Sequence, residues 1–90
     1  MVKLNENSAY KRGQELLDAG QYEEAIEKFS EVIAENPRAW KAMNSQGFAY
    51  QKMSKYTDAV ECFDKALEIN PKSVEVLNNK GVTLSMRGLY

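Results

Sequence analysis

The chain contains no histidine and one cysteine, Cys62, among its 90 residues. Histidine is the commonest general base and, with cysteine, supplies most transition-metal ligands, so both shortages weigh against catalysis and against a bound metal. A lone thiol cannot form an internal disulfide, which is typical of a reducing compartment. We therefore expect no enzymatic activity, no cofactor, no metal site and a cytoplasmic location.

Long apolar runs and an excess of basic charge are also missing. No stretch approaches the roughly 18 apolar residues needed to span a bilayer, and residues 1–7 contain no apolar core of signal-peptide length. The formal net charge is −1 and the pI is near 5.5, so no long-range field would attract nucleic acid or anionic lipid. The sequence predicts a single domain that binds neither nucleic acid nor membranes.

Glycine and proline are scarce, but their positions are regular. They recur at intervals of 34 residues: Gly13, Gly47 and Gly81; Pro37 and Pro71; and Gly20 and Gly88, which are two intervals apart. Ser54 occupies the slot midway between the last two. A fixed period of this length indicates a repeat array.

Other residues keep the same register: Tyr22, Tyr56 and Tyr90; Ala25 and Ala59; Phe29 and Phe63. A unit with an early Gly, then Gly-x-Tyr, then Ala-x-x-x-Phe, then Pro resembles the tetratricopeptide repeat. The resemblance covers the chain from about Asn5 and divides it into residues 5–38, 39–72 and 73–90, the last being the first half of a third repeat. It implies an all-α, right-handed solenoid of antiparallel helix pairs, each with an A helix and a B helix.

Hydrophobic periodicity predicts five helices and no strand. From Tyr22 and from Tyr56, apolar residues recur every three or four positions and acidic residues fill the other faces, which is typical of amphipathic helices. Pro37 and Pro71 end these two B helices. The A helices are predicted at residues 8–19, 40–53 and 74–87. Further predictions are left-handed caps at Gly20 and Gly88, and close helix contacts of the mid-helix glycines with Ala25 and Ala59.

The resemblance also implies where a ligand would bind, because A helices line the concave groove of such arrays. The expected function is that of a protein–protein interaction scaffold holding a peptide segment of a partner. The predicted groove residues are Tyr10, Gln14, Leu17, Lys41, Asn44, Ser45, Phe48, Lys52, Asn78, Asn79 and Val82, with Asp18 and Glu75 on the same surface. Amide side chains can bond to a peptide backbone and aromatic rings can pack against its side chains. For Phe48 the alternative is packing between A helices.

Charge is divided unevenly between the two helix types. The predicted A helices carry six basic and three acidic residues, whereas the two B helices carry two basic and nine acidic residues. This division favours a weakly acidic partner for the groove. The alternative is that these are ordinary solvated faces, since well-separated surface charges are screened by cellular salt.

One subgroup of the family is testable residue by residue. Tetratricopeptide domains that hold the acidic C-terminal tails of cytosolic chaperones use a clamp of lysine, asparagine and arginine side chains. The corresponding slots here are Tyr10, Gln14, Ser45, Glu75 and Asn79, and none matches the clamp. We expect no tight binding of such tails, because no group of cations converges on a carboxylate.

A second function remains open. In the last predicted A helix, Leu77 and Leu84 have no B helix to cover them, and with Leu89 and Tyr90 they would form an apolar edge. Either the chain is a piece of a longer array, or two copies cover each other's edges, with exchange of helices as one route. The alternative function is therefore self-association into a homo-oligomer.

Overall fold

The computed structural model describes the backbone of residues 2–88 and the side chains of residues 8–88. This part of the chain forms five α-helices and contains no strand. The helices are α1 (Val2–Asp18), α2 (Tyr22–Glu35), α3 (Trp40–Lys52), α4 (Tyr56–Ile69) and α5 (Val74–Gly88). The all-α fold predicted from the sequence is confirmed.

The helices are arranged in two layers. Each helix packs on the next along the chain, and α3 also contacts both α1 and α5, whereas α2 and α4 are not in contact. Turns of three or four residues make successive helices antiparallel neighbours. The A-type helices α1, α3 and α5 therefore form one continuous layer, and α2 and α4 lie behind it.

Two buried clusters hold the layers together, one for each complete helix pair. The first centres on Phe29, and the second centres on Phe63; both rings are fully buried. A Cβ placed on Gly13 would lie 2.6 Å from Cε1 of Phe29, and one on Gly47 would lie 2.5 Å from Cε1 of Phe63. Each glycine thus makes room for an aromatic ring, rather than for the alanine that the sequence suggested.

The turn between the two helices of a pair has the same geometry in both copies. Gly20 N–H donates to the carbonyl of Leu17 at 3.0 Å, and Gln21 N–H donates to that of Leu16 at 2.8 Å. Ser54 and Lys55 repeat this Schellman pattern. The φ angles are +80° at Gly20 and +62° at Ser54, so a serine adopts the left-handed conformation in the second copy.

Two details of the helix ends differ from the prediction. The left-handed cap expected at Gly88 is wrong: α5 remains helical through this residue, and glycine tolerates either conformation. Helix α1 begins at Val2 rather than at residue 8, and no proline or glycine occurs before Gly13 to interrupt it.

Consecutive repeats are tied together at one pair of positions that recurs with different side chains. In the first joint, Gln46 Nε2 donates to Ser30 Oγ at 2.8 Å and to the carbonyl of Ile26 at 3.0 Å. In the second joint, Lys80 Nζ lies 2.6 Å from a carboxylate oxygen of Asp64. Lys80 is 34 residues beyond Gln46, and Asp64 is 34 residues beyond Ser30. The same two repeat positions are therefore joined by an amide–hydroxyl hydrogen bond in the first joint and by an ion pair in the second.

Candidate functional site

A cleft of about 240 Å³ crosses the A-helix layer, with walls from α1, α3 and α5. Its lining residues are Gln14, Leu17, Asp18, Asn44, Ser45, Phe48, Glu75 and Asn79. All eight lie on the surface that the sequence predicts as the groove. Three separate helices contribute, so the stacking of repeats brings these side chains together.

The floor of the cleft is a set of hydrogen-bonded polar side chains. Ser45 Oγ donates to Gln14 Oε1 at 3.3 Å, and Gln14 Nε2 donates to the hydroxyl of Tyr10 at 3.3 Å, which links α3 to α1. Asn79 Nδ2 donates to Asn44 Oδ1 at 3.0 Å, which links α5 to α3. These bonds fix the orientation of the amides before any ligand arrives, so little side-chain entropy remains to be lost on binding.

The side of the cleft formed by Phe48 is amphipathic. Phe48 is half-buried, and the Nζ atom of Lys52 lies 5.1 Å from the centre of its ring. Phe48 is thus accessible from the groove, and the alternative that it serves only to pack A helices together does not account for its exposed part. The arrangement offers an apolar surface beside hydrogen-bonding amides, which suits an extended peptide.

Family models for the tetratricopeptide repeat match residues 10–50, 40–73 and 62–90. The matched segments overlap and extend from Tyr10 to the last residue. The chain belongs to the tetratricopeptide-repeat (TPR) family. No curated protein sequence matches the chain.

Solved TPR structures share this fold. The second TPR of Spaghetti (RPAP3) bound to the HSP90 peptide SRMEEVD has a TM-score of 0.88 at 24% identity, over 93% of this chain and 78% of that one. The second TPR domain of human RPAP3 with the HSP70 peptide SGPTIEEVD has a TM-score of 0.88 at 23% identity, over 96% and 72%. MamA from Desulfovibrio magneticus RS-1 gives 0.84 at 24% identity, over 89% and 45%. At these identities the similarity shows the fold alone.

Five residues predicted for the TPR groove do not line the cleft. Tyr10 and Lys41 lie beside it, around a second depression of about 290 Å³ that also includes Arg38 and Trp40. The ring of Tyr10 packs against Phe29 with centroids 5.8 Å apart, and Lys41 Nζ lies 5.8 Å from the ring centre of Trp40. Of the other three, Lys52 lies with its Nζ over the ring of Phe48, and Asn78 and Val82 are exposed on α5.

The predicted apolar edge is partly visible on α5. Leu77 is 48% exposed and Leu84 is 37% exposed. Gly81 lies between them along the helix, and a Cβ placed on it would meet nothing within 4 Å. The other two predicted members, Leu89 and Tyr90, lie outside the described residues.

Sequence reasoning missed the polar contacts that join the TPR repeats. Gln51 Nε2 donates to Thr83 Oγ1 at 2.7 Å, and both residues are buried between α3 and α5. Gln46 directly precedes the repeated Gly47, and a polar side chain beside that packing position is the signal that could have identified it as a tie between helices. For Gln51 and Thr83 the sequence gives no comparable signal.

The described residues include one cysteine, and its surroundings disfavour the thiolate. Cys62 is half-buried on α4, and its Sγ lies 4.0 Å from Gln46 Oε1. Burial raises the pKa of the Cys62 thiol to about 11, an effect that Lys65 partly opposes, so little nucleophilic thiolate forms near neutral pH. Within residues 8–88, no three His, Cys, Asp or Glu side chains are grouped to hold a metal ion. No helix in the described part of the chain is long and apolar enough to cross a membrane.

Proposed function

We propose that this TPR domain is a non-enzymatic scaffold that binds a peptide segment of a partner protein in the cleft between α1, α3 and α5. The observation that carries the proposal is the polar floor, in which amides from three helices are held by hydrogen bonds beside the accessible ring of Phe48. TPR domains of similar fold hold chaperone peptides, which supports the class of ligand but not its identity. Cytoplasmic location stays a prediction.

Substitution in the cleft tests this proposal. Phe48→Ala removes the apolar wall and should weaken binding of a partner peptide at least tenfold, as truncation of a central aromatic contact does in other interfaces. Val60→Ala, which shortens a half-buried apolar side chain on α4 instead, is the matched control and should leave the affinity unchanged. Circular dichroism would show that both variants are folded. If wild type and Phe48→Ala bind the peptide with equal affinity, the peptide binds to a surface other than the cleft.

The ligands of the similar solved structures give a contrasting prediction. The clamp slots carry no cation, and Glu75 contributes a carboxylate to the cleft; these slots are Tyr10, Gln14, Ser45, Glu75 and Asn79. We propose that acidic chaperone tails such as SRMEEVD bind weakly. Titration by fluorescence anisotropy should give a Kd above roughly 10 μM, and tighter binding would contradict the proposal.

Self-association is a second candidate, and the exposed face of α5 favours it. Gly13 and Gly47 each lie under a phenylalanine ring, whereas a Cβ on the equivalent Gly81 would meet no neighbouring helix of the described residues within 4 Å. We propose a second copy of this chain as the occupant, with the stripe Leu77, Gly81 and Leu84 of each copy packed together.

Light scattering across a concentration series tests self-association. A dimer should form at high concentration in the wild type, and Leu77→Lys should abolish it, since a lysine would be buried in the shared face. Lys11→Ala, on exposed surface of α1, is a control that should still dimerise. A strict monomer up to millimolar concentration would contradict this second candidate.

A further inference from the structure

We propose that the cleft selects peptide segments carrying a lysine or arginine side chain, which binds between the carboxylates of Asp18 and Glu75. This inference rests on the proposed peptide-binding function and specifies the chemistry of the ligand. Asp18 comes from the end of α1 and Glu75 comes from the start of α5, yet both line the same cleft. No lysine or arginine is among its lining residues.

The two carboxylates are available to a ligand. The ion pairs among the described residues join Arg12 to Glu15, Lys28 to Glu31 and Lys80 to Asp64, so Asp18 and Glu75 take part in none of them. Lys52 is not among the lining residues, and its Nζ lies over the ring of Phe48. An incoming cation would therefore meet two carboxylates that no described lysine or arginine pairs with.

The charge summed over the A helices differs in sign from the charge of the residues that line the cleft. Of the six basic residues counted on the A helices, Arg12 pairs with a neighbour on its own helix, and Lys80 pairs with Asp64 of α4. These cations are absent from the cleft lining, where both charged residues are acidic. The local charge thus favours a basic side chain, in contrast to the weakly acidic partner that the helix totals favour.

Asn44, a largely buried side chain, offers a hydrogen-bond donor to a polar chain in the cleft. Asn44 is 6% exposed, and its Oδ1 accepts a bond from Asn79. Its Nδ2 has no hydrogen-bond partner among the described residues. Every enclosed side-chain nitrogen or oxygen in that part of the chain does have a partner, so Nδ2 is not enclosed and reaches the open cleft. An amide N–H that faces the open cleft can donate to water, and a peptide carbonyl bound in the cleft would take the place of that water as acceptor. That contact would fix the backbone of a segment whose cationic side chain lies between Asp18 and Glu75.

The experiment uses an array of random eight-residue peptides, acetylated and amidated so that no terminal charge contributes. The wild-type chain and the Phe48→Ala variant are both applied, and peptides that lose binding in the variant are cleft-dependent. These peptides should be enriched in lysine or arginine. Cleft-dependent peptides enriched in acidic residues, or in none, would overturn the inference and leave the proposed function intact. Absence of any cleft-dependent peptide would overturn both.

Affinity measurements with the best cleft-dependent peptide then locate the cation. Asp18→Asn and Glu75→Gln, both at exposed positions, should each weaken binding about two- to fivefold, the range for a solvent-exposed ion pair. Glu68→Gln on α4 is the matched control and should bind like the wild type. Replacing the lysine of the peptide by norleucine should remove the difference between wild type and both variants. If the variants weaken the norleucine peptide equally, the carboxylates do not contact the cation and the inference is wrong.

Discussion

Three A-type helices carry a glycine at the same repeat position, but only two of these glycines lie against a phenylalanine ring. At Gly13 and Gly47 the ring of the following helix fills the space of the missing Cβ, whereas the space at Gly81 is open. Glycine at this repeat position therefore affects stability in two different ways. In α1 and α3 it permits close packing, and in α5 it is a helix-weakening residue without a compensating contact among the described residues.

The largest effect on this comparison should come from removing a ring. Phe63→Ala leaves a cavity over Gly47 and should lower the free energy of unfolding by about 3–5 kcal/mol. This is a large share of the roughly 5–13 kcal/mol expected for 90 residues. Urea denaturation measures it, with Val82→Ala on exposed surface as a control near zero. If Phe63→Ala barely differs from the control, the ring does not hold the second pair together.

Adding a methyl group to the glycines should give opposite signs. Gly47→Ala places Cβ against a fully buried ring, and the overpacking of about 1–3 kcal/mol should exceed the gain in helix propensity. Gly81→Ala meets no atom within 4 Å and should stabilise α5 by about 0.5–1 kcal/mol. Thermal melting of both variants at low protein concentration, which disfavours self-association, checks this. A stabilising Gly47→Ala would contradict the packing role of that glycine.

The turn between the two helices of a pair also differs in sequence between the two copies, and its effect on stability should be smaller. Ser54 has a positive φ where the first copy has Gly20, and the left-handed conformation costs a non-glycine residue about 1 kcal/mol. Ser54→Gly should therefore raise the stability by about 0.5–1 kcal/mol, after loss of the bond that Tyr56 OH donates to Ser54 Oγ. Gly20→Ser should lower it by a similar amount. Equal melting temperatures for wild type and Ser54→Gly would mean that Ser54 is not strained.

The smallest effect should come from the ties between repeats. Asp64→Asn removes a partly exposed ion pair with Lys80 and should cost about 0.2–1 kcal/mol at low salt. Because salt screens the pair, the difference from wild type should shrink in 1 M NaCl. Ser30→Ala, which removes the neutral partner of Gln46 at the equivalent position, should show little salt dependence. Equal salt dependence of the two variants would contradict the distinction between the joints.

The sequence predicts the helices well because their signals are local. The three- and four-residue spacing of apolar side chains after Tyr22 and Tyr56, and the prolines at 37 and 71, lie within each helix or at its end. The partner of each glycine was assigned less well. Periodicity shows that Phe29 faces inward, but the direction of its ring across the pair depends on how two helices cross, which one helix's pattern does not contain.

The cleft was predicted in part for a similar reason. Gln14, Asn44 and Phe48 follow from repeat positions of the family and are found along its walls. Lys41 Nζ lies over the ring of Trp40, and the hydrogen bond accepted by Asn44 depends on the particular side chain at position 79. Such pairings belong to individual residues rather than to the repeat, so a family pattern cannot supply them.

The two ties between repeats bear on the order in which units can be joined. An array built by copying one unit would place the same pair at every joint, but here Gln46 meets Ser30 and Lys80 meets Asp64. If the first and second units exchanged places, Lys80 would face the hydroxyl of Ser30. If the second unit were duplicated, Gln46 of the second copy would face the carboxylate of Asp64 in the first. Each unit is therefore matched to its own predecessor, and shuffled or duplicated versions of this array would need those contact residues to be exchanged together.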